Sequence, residues 1–359
     1  MRSDEALARL DSHVNLETIG RPRGEDRRAT APTLDRIQVL VELLGSPQLS
    51  YPAIHLTGTN GKTSIVRMTT ALLMGAGLSV GSYTSPNLER VNERMAWNDE
   101  PIDDLALAEV LGLVAAVEDH LATAPANGPA NGPANDPAND PGGRLSYFEI
   151  LTGAALSWFA DVAIDVAVVE VGLGGTWDAT NVIDGKVAVI TNVSIDHVEY
   201  LGPTREGIAK EKAGIIKPGA TLVLGETDPA LASIFLDRGA AQVVTRDVDF
   251  GVGESRLAHG GRLVDLYTPG GRYDEVLVPL HGAHQAQNAA VALATAEAFG
   301  WQYHRATTLI ALAQNRFRAD GRLDDEATAW LTAAEDLCDA HGIVSWAKRA
   351  AGLRARIPA

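Results

Sequence analysis

One short stretch constrains this chain more than any other. Ala53-Ile54-His55-Leu56 is an apolar run, Gly58-Thr59-Asn60-Gly61 is a glycine-bounded turn, and Lys62-Thr63-Ser64 leads into residues 65–74, which have helical spacing. Strand, glycine turn and helix in that order open an α/β unit. Such a turn aims several backbone N–H groups at one point, where the helix dipole and a lysine ammonium add to the field. The result is a cradle for a triphosphate. The common nucleotide loop carries a further glycine five positions before Gly61, where this chain has Leu56. The shorter Gly-x-x-Gly-Lys-Thr form is therefore a variant, and a plain glycine turn is the competing reading.

The rest of the chain extends the same pattern. Val166-Ala167-Val168-Val169 and Val187-Ala188-Val189-Ile190 are runs without polar alternation, as parallel strands covered on both faces require. Further strands are expected at 221–224 and 243–244. A helix is expected over 33–45, where Leu34, Ile37, Val41 and Leu44 recur and Gly45 supplies a stop. Residues 50–300 thus read as one doubly wound, mostly parallel sheet with helices, and residues 1–300 as one central domain. Inside it, residues 125–141 repeat Pro-Ala-Asn-Gly and Pro-Ala-Asn-Asp. Proline at every fourth position blocks a helix, so this stretch is expected to be a disordered loop insertion. Residues 301–359 hold three of the six tryptophans and no β-branched run, and the spacing predicts a short tail of two or three helices.

Composition narrows the function. Lys plus Arg number 30 against 46 Asp plus Glu, a formal charge of −16, which argues against a broad nucleic-acid surface. It leaves room for a small anionic ligand held by local dipoles and metal ions. The single cysteine, Cys338, excludes an intramolecular disulfide and a cysteine zinc cage. With no apolar signal core at the N-terminus and no long apolar stretch, a cytoplasmic protein without membrane contact is expected.

Two acidic and basic positions follow the strands. Glu170 ends the 166–169 run and precedes Val171-Gly172-Leu173-Gly174-Gly175. A carboxylate at the C-terminal end of a parallel strand points into the ligand crevice, where Mg²⁺ would take its oxygens; a capping or surface acid is the alternative. His197, in Ile195-Asp196-His197, follows the 187–190 strand in the same way. That strand is expected to neighbour the one carrying Glu170, and the histidine reads equally as a ligand or as an ordinary surface residue. Lys210, Lys212 and Lys217 by themselves read as a solvated helix face.

Together these segments resemble the folylpolyglutamate synthase and dihydrofolate synthase family of the Mur ligase superfamily. The matching stretches are Ala31-Pro32-Thr33-Leu34-Asp35-Arg36-Ile37, residues 55–64, Tyr83-Thr84-Ser85-Pro86, Phe148-Glu149, and residues 170–181, 192–202, 208–217 and 280–290. Eight motifs in the family's order make the resemblance specific over residues 5–300. It implies a Mur-ligase-type P-loop in which Thr59, Asn60, Gly61, Lys62, Thr63 and Ser64, with Asn288, contact ATP. It implies that Ser85, Glu170 and His197 hold Mg²⁺, and that Lys212 joins them as a carbamate formed with CO₂. Lys62, His197 and Lys212 would be the catalytic residues. Folate would lie by Ala31, Pro32, Thr33 and Leu34, by Ser146, Tyr147, Phe148 and Glu149, and by Trp177, Asp178 and Ala179.

The implied reaction is ATP-dependent addition of L-glutamate to dihydropteroate or a folyl-glutamate through an acyl phosphate, by a monomer. The family also carries a further α/β domain with an Asp-x-x-His-Asn-Pro motif, and none follows residue 300 here. Thr176-Trp177 and Asn87 stand where relatives carry Arg-Leu and histidine. A non-catalytic ATP- or folate-binding relative whose helical tail mediates interaction is the alternative reading, and a peptidoglycan-type Mur ligase is a third.

Overall fold

The computed structural model describes residues 2–15, 33–123, 145–320, 324–341 and 344–355. Ala31, Pro32 and the 125–141 repeat lie outside the described residues. The unalternating apolar runs become the middle of an eight-stranded sheet. Strand β1 (Ala53–Thr57) pairs in parallel with both β5 (Val166–Glu170) and β6 (Gly185–Ile190). Beyond β5 lies β2 (Val80–Tyr83), followed by the antiparallel β3 (Met95–Trp97) and β4 (Glu100–Pro101). Beyond β6 come β7 (Thr221–Leu224) and β8 (Gln242–Thr245), both parallel. The strand bearing Glu170 and the strand leading to His197 are therefore not neighbours, contrary to the expectation from sequence. β1 lies between them and takes hydrogen bonds from both, which leaves the phosphate loop at its end flanked on either side.

Successive side chains of the central strands point to opposite faces. Ile54, Leu56, Val166 and Val168 join Ile65 and Leu73 of α3 (Lys62–Gly75) on one face. Ala53, Ala167 and Val169 join Ile37 and Leu40 of α2 (Asp35–Leu43) and Leu151 of α5 (Tyr147–Asp161) on the other. Residues 149–159 of α5 are all buried, and Gly153 lets Leu40 of α2 approach the helix backbone. Helices α1 (Ser3–Asp11) and α4 (Asp104–Thr123) cover the outside of this layer. Toward β7, Ala188, Ile190, Leu222 and Leu224 form a third cluster with α7 (Arg205–Lys212) and α8 (Pro229–Leu236). A one-turn helix, α6 (Val198–Leu201), precedes α7.

A second sheet, not foreseen from sequence, is the antiparallel meander β9 (Gly251–Ala258), β10 (Gly261–Thr268) and β11 (Gly271–Val278). Its buried apolar residues, Val264, Leu266 and Val278, join the α3 side of the core together with Ala290 of α9 (His284–Asp320). Helix α9 runs unbroken through residue 300, so a division there falls within one helix. The tail is helical as expected: α10 (Asp325–His341) and α11 (Val344–Arg354) pack on α9, and Cys338 is buried in the main core. Among the described residues, no helix is long and apolar enough to cross a membrane.

Candidate functional site

The loop after β1 is built from backbone. Gly61 opens α3 at φ +83°, where an L side chain is strained, and a Cβ there would stand 2.5 Å from Asn288 Oδ1 on α9. Gly58 similarly lets the loop close on Thr191. The segment after β6 grips the loop. Thr59 N–H donates to Asn192 O (2.9 Å) and Asn60 N–H to Asn192 Oδ1 (3.1 Å), while Thr191 Oγ1 donates to Asn60 O (2.7 Å). Thr59 Oγ1 bonds both backbone groups of Ser194. Asn192 thus has a part that the Gly58–Ser64 motif did not announce; its place at the head of the matching 192–202 stretch was the available signal.

Two ammonium groups converge on this loop. Lys62 Nζ and Lys212 Nζ donate to the same acceptor, Gly58 O, at 3.0 and 3.1 Å. Lys212, at the end of α7, is only 4% exposed; burial, with the positive charge of Lys62 beside it, pushes its pKa down to about 7. The solvated-face reading of the lysine cluster is therefore wrong for Lys212, whose ammonium turns inward. Lys210 is exposed, and Lys217 donates to Asn181 O (3.2 Å).

Glu170, the last residue of β5, is 2% exposed. Its oxygens accept the Thr63 hydroxyl at 2.9 and 3.2 Å and a backbone hydrogen bond from Ser85. Burial lifts its pKa to about 7, against the pull of Lys62. Lys62, Lys212, Asp196, His197 and residues 172–174 line one cleft. His197 is half-exposed, has left-handed backbone, and holds Nε2 3.7 Å from Asp196 Oδ2. Lys62, Ser85, Glu170, His197 and Lys212 are thus brought around one loop. Among the described residues no cluster of three His, Cys, Asp or Glu side chains could cage a metal alone. One buried carboxylate with neighbouring hydroxyls fits Mg²⁺ nonetheless, because this ion keeps several waters and shares substrate phosphates rather than filling an all-protein cage.

The segments expected beside folate also converge, but their polar side chains are committed to structure. Ser146 Oγ caps α5 by accepting Glu149 N–H. The Glu149 carboxylate accepts Ser146 N–H (2.7 Å) and Arg36 Nε (3.1 Å), which fastens α2, just after Thr33 and Leu34, to α5. Asp178 accepts Leu173 N–H (2.8 Å), Thr180 N–H (3.0 Å) and the Thr180 hydroxyl, and burial lifts it to about 6. That hydroxyl proton being used, His55 Nε2 must donate to Thr180 Oγ1 (2.9 Å); burial pushes His55 down to about 3, so the ring is neutral. Ser146, Glu149 and Asp178 therefore hold backbone instead of lying open to a ligand. Phe148 stacks on Tyr83 (5.9 Å between centroids) and rests against Gly172, Tyr147 lies under Arg94, and Trp177 rests against Gly174. Ala179 opens the short turn that Asp178 caps.

Known proteins match this arrangement. Residues 148–296 match the Mur ligase middle domain. The chain is 44% identical over 281 residues to the dihydrofolate synthase/folylpolyglutamate synthase of Mycobacterium tuberculosis, covering 75% of this chain and 55% of that protein. It is 36% identical over 289 residues to the folylpolyglutamate synthase of Lacticaseibacillus casei, covering 80% and 64%. A folylpolyglutamate synthase solved with AMPPCP and folate superposes with a TM-score of 0.72 at 36% identity, over 85% of this chain and 68% of that one. The chain thus spans between half and two thirds of the length of these curated relatives. Sequence identity and overall superposition agree: the chain belongs to the folylpolyglutamate synthase and dihydrofolate synthase family of Mur-type ligases.

Proposed function

We propose that the chain is an ATP-dependent ligase that joins L-glutamate to dihydropteroate or a folyl-glutamate. The observation that supports this most is the convergence of Lys62 and Lys212 on the Gly58 carbonyl, beside the buried Glu170. A carboxylate is a poor acylating agent because hydroxide leaves badly. In the proposed reaction a substrate carboxylate oxygen attacks the γ-phosphorus of ATP, and ADP leaves. The glutamate amine then attacks the carbonyl carbon of the acyl phosphate, and inorganic phosphate departs.

The backbone N–H groups of residues 61–64 would hold the β- and γ-phosphates, with Asn288 against the loop from α9; Thr59 and Asn60, whose N–H groups are used by Asn192, would shape the loop around the nucleotide. Lys62 would move its ammonium from Gly58 O to the transferring phosphoryl group and oppose charge that builds there. Ser85, Glu170, His197 and Lys212 would hold Mg²⁺, which would supply further charge neutralisation. Near neutral pH the depressed pKa leaves much of Lys212 as free amine, the form that adds CO₂ to give a carbamate and a proton. Phe148, Tyr147 and Trp177, with Thr33, Leu34 and Ala179 nearby, would border the flat pterin. In this reading residues 1–300 form the nucleotide-binding unit, and the helical segment 301–359 continues from it through α9. The test is phosphate release from ATP–Mg²⁺ with dihydropteroate and glutamate supplied singly and together. Release that requires both is expected; turnover indifferent to both would overturn the ligase reading and leave a binder.

A further inference from the structure

One wall of the cleft is an excursion of the chain that leaves the sheet at Val193 and returns at the start of α7. Asp196, His197 and Leu201 on this excursion line the cleft. Its base is closed from two sides. Arg205 Nε donates to Val193 O at 3.0 Å across twelve positions of sequence, and Val193 N–H donates to the buried carboxylate of Glu226 at 2.7 Å. Arg205 also pairs with Glu226 (3.5 Å) and, more closely, with Asp228 (2.8 Å). The second Glu226 oxygen accepts Thr227 N–H and Asp228 N–H at 3.0 and 2.9 Å, which fixes the carboxylate to the turn after β7. Both backbone polar groups of Val193 are therefore held by charges of opposite sign. Arg205 is also the first residue of α7, whose last residue is Lys212.

We propose that Arg205 and Glu226 are a positioning pair. By closing the base of the 193–205 excursion and anchoring the first turn of α7, they set where His197 and Lys212 stand relative to the phosphate loop. This rests on the proposed role of His197 and Lys212 in holding a divalent cation on the nucleotide. A loop closed at its base before the ligand arrives has less freedom to lose on binding. Neither residue touches the cleft, so the pair acts through the residues it places.

The test uses the whole chain, Mn²⁺ as a paramagnetic probe, and AMPPCP as a nucleotide that is not turned over. Mn²⁺ binding is read by electron paramagnetic resonance, and nucleotide affinity by calorimetry with and without Mn²⁺. In Arg205→Leu, Mn²⁺ affinity in the presence of nucleotide is expected to fall about tenfold while metal-free nucleotide affinity stays within about twofold. Arg205→Lys, which can still reach the Val193 carbonyl, is expected to recover part of the loss. Glu226→Gln is expected to behave as Arg205→Leu does; if its buried site does not tolerate the change, the half-exposed Arg205 decides alone. Unchanged Mn²⁺ affinity in Arg205→Leu would overturn the proposal, as would equal losses with and without metal, which a merely structural role produces. Failure of the unaltered chain to bind AMPPCP under either condition would remove the ligase reading itself.

Discussion

The segments proposed to hold phosphate and those proposed to border folate are built from different material. The proposed phosphate side is backbone: residues 58–61 turn on glycines, the N–H and C=O groups of residues 59 and 60 are tied to Asn192 and Thr191, and the Thr59 hydroxyl is tied to Ser194. The proposed folate side is assembled from three distant segments held by side chains, Arg36 to Glu149 and Asp178 to Thr180 and Leu173. A backbone site tolerates change in its surroundings but depends on the few charges aimed at the ligand. A site framed by a buried ion pair and buried hydrogen bonds depends on the frame for stability first and for binding second. Substitutions on the phosphate side should therefore cost affinity, and those on the folate side should cost stability.

The largest test of that contrast is Glu149→Ala, which removes the carboxylate partner of the nearly buried Arg36 together with one half of the α5 cap. Breaking a buried pair from one side costs roughly 4 kcal/mol of stability, measurable by urea denaturation. Nucleotide affinity of the folded fraction should be unchanged; a loss of affinity would erase the distinction between the two sides. Lys62→Ala should do the reverse, weakening nucleotide binding about a hundredfold, roughly 3 kcal/mol, with little change in unfolding midpoint. Unchanged affinity there would mean that the loop does not hold phosphate.

Glu170 sharpens the comparison because it is a buried charge on the phosphate side. Its folded pKa, about 7, lies above the ordinary 4.5. As pH rises between those values the unfolded chain ionises while the folded one keeps its proton, so stability falls with rising pH in that window. Glu170→Gln removes this dependence. Without metal the variant should be more stable than the parent by about 3 kcal/mol above neutral pH, with the gain vanishing near pH 4.5. Melting curves across pH check this, and a gain that does not vary with pH would show that the carboxyl is not held protonated. The smallest expected effect is Ser146→Ala, about 1 kcal/mol for loss of an N-cap, with no effect on nucleotide affinity.

Much of the fold was legible locally. Unbroken apolar runs at 166–169 and 187–190 announced doubly covered strands, and Gly58 to Lys62 announced the turn between β1 and α3. The meander β9–β11 was not legible, because its exposed strands carry mixed polar residues and its few core contacts are made with α9. The pairing of Arg205 with Glu226 and Val193 was equally hidden, since residues scattered over three segments meet only when β6 and β7 lie side by side.

By itself, then, the sequence determined the parallel sheet, the place of the phosphate loop and the kinship with folate ligases, since each depends on near neighbours in the chain. Burial was left to the tertiary structure. Lys212 is a cation on a helix by composition and an inward-facing amine by packing, and Glu149 and Asp178 are acids that became struts. Free energies of ionisation depend on distance to water and to other charges, quantities that exist only after distant segments have come together.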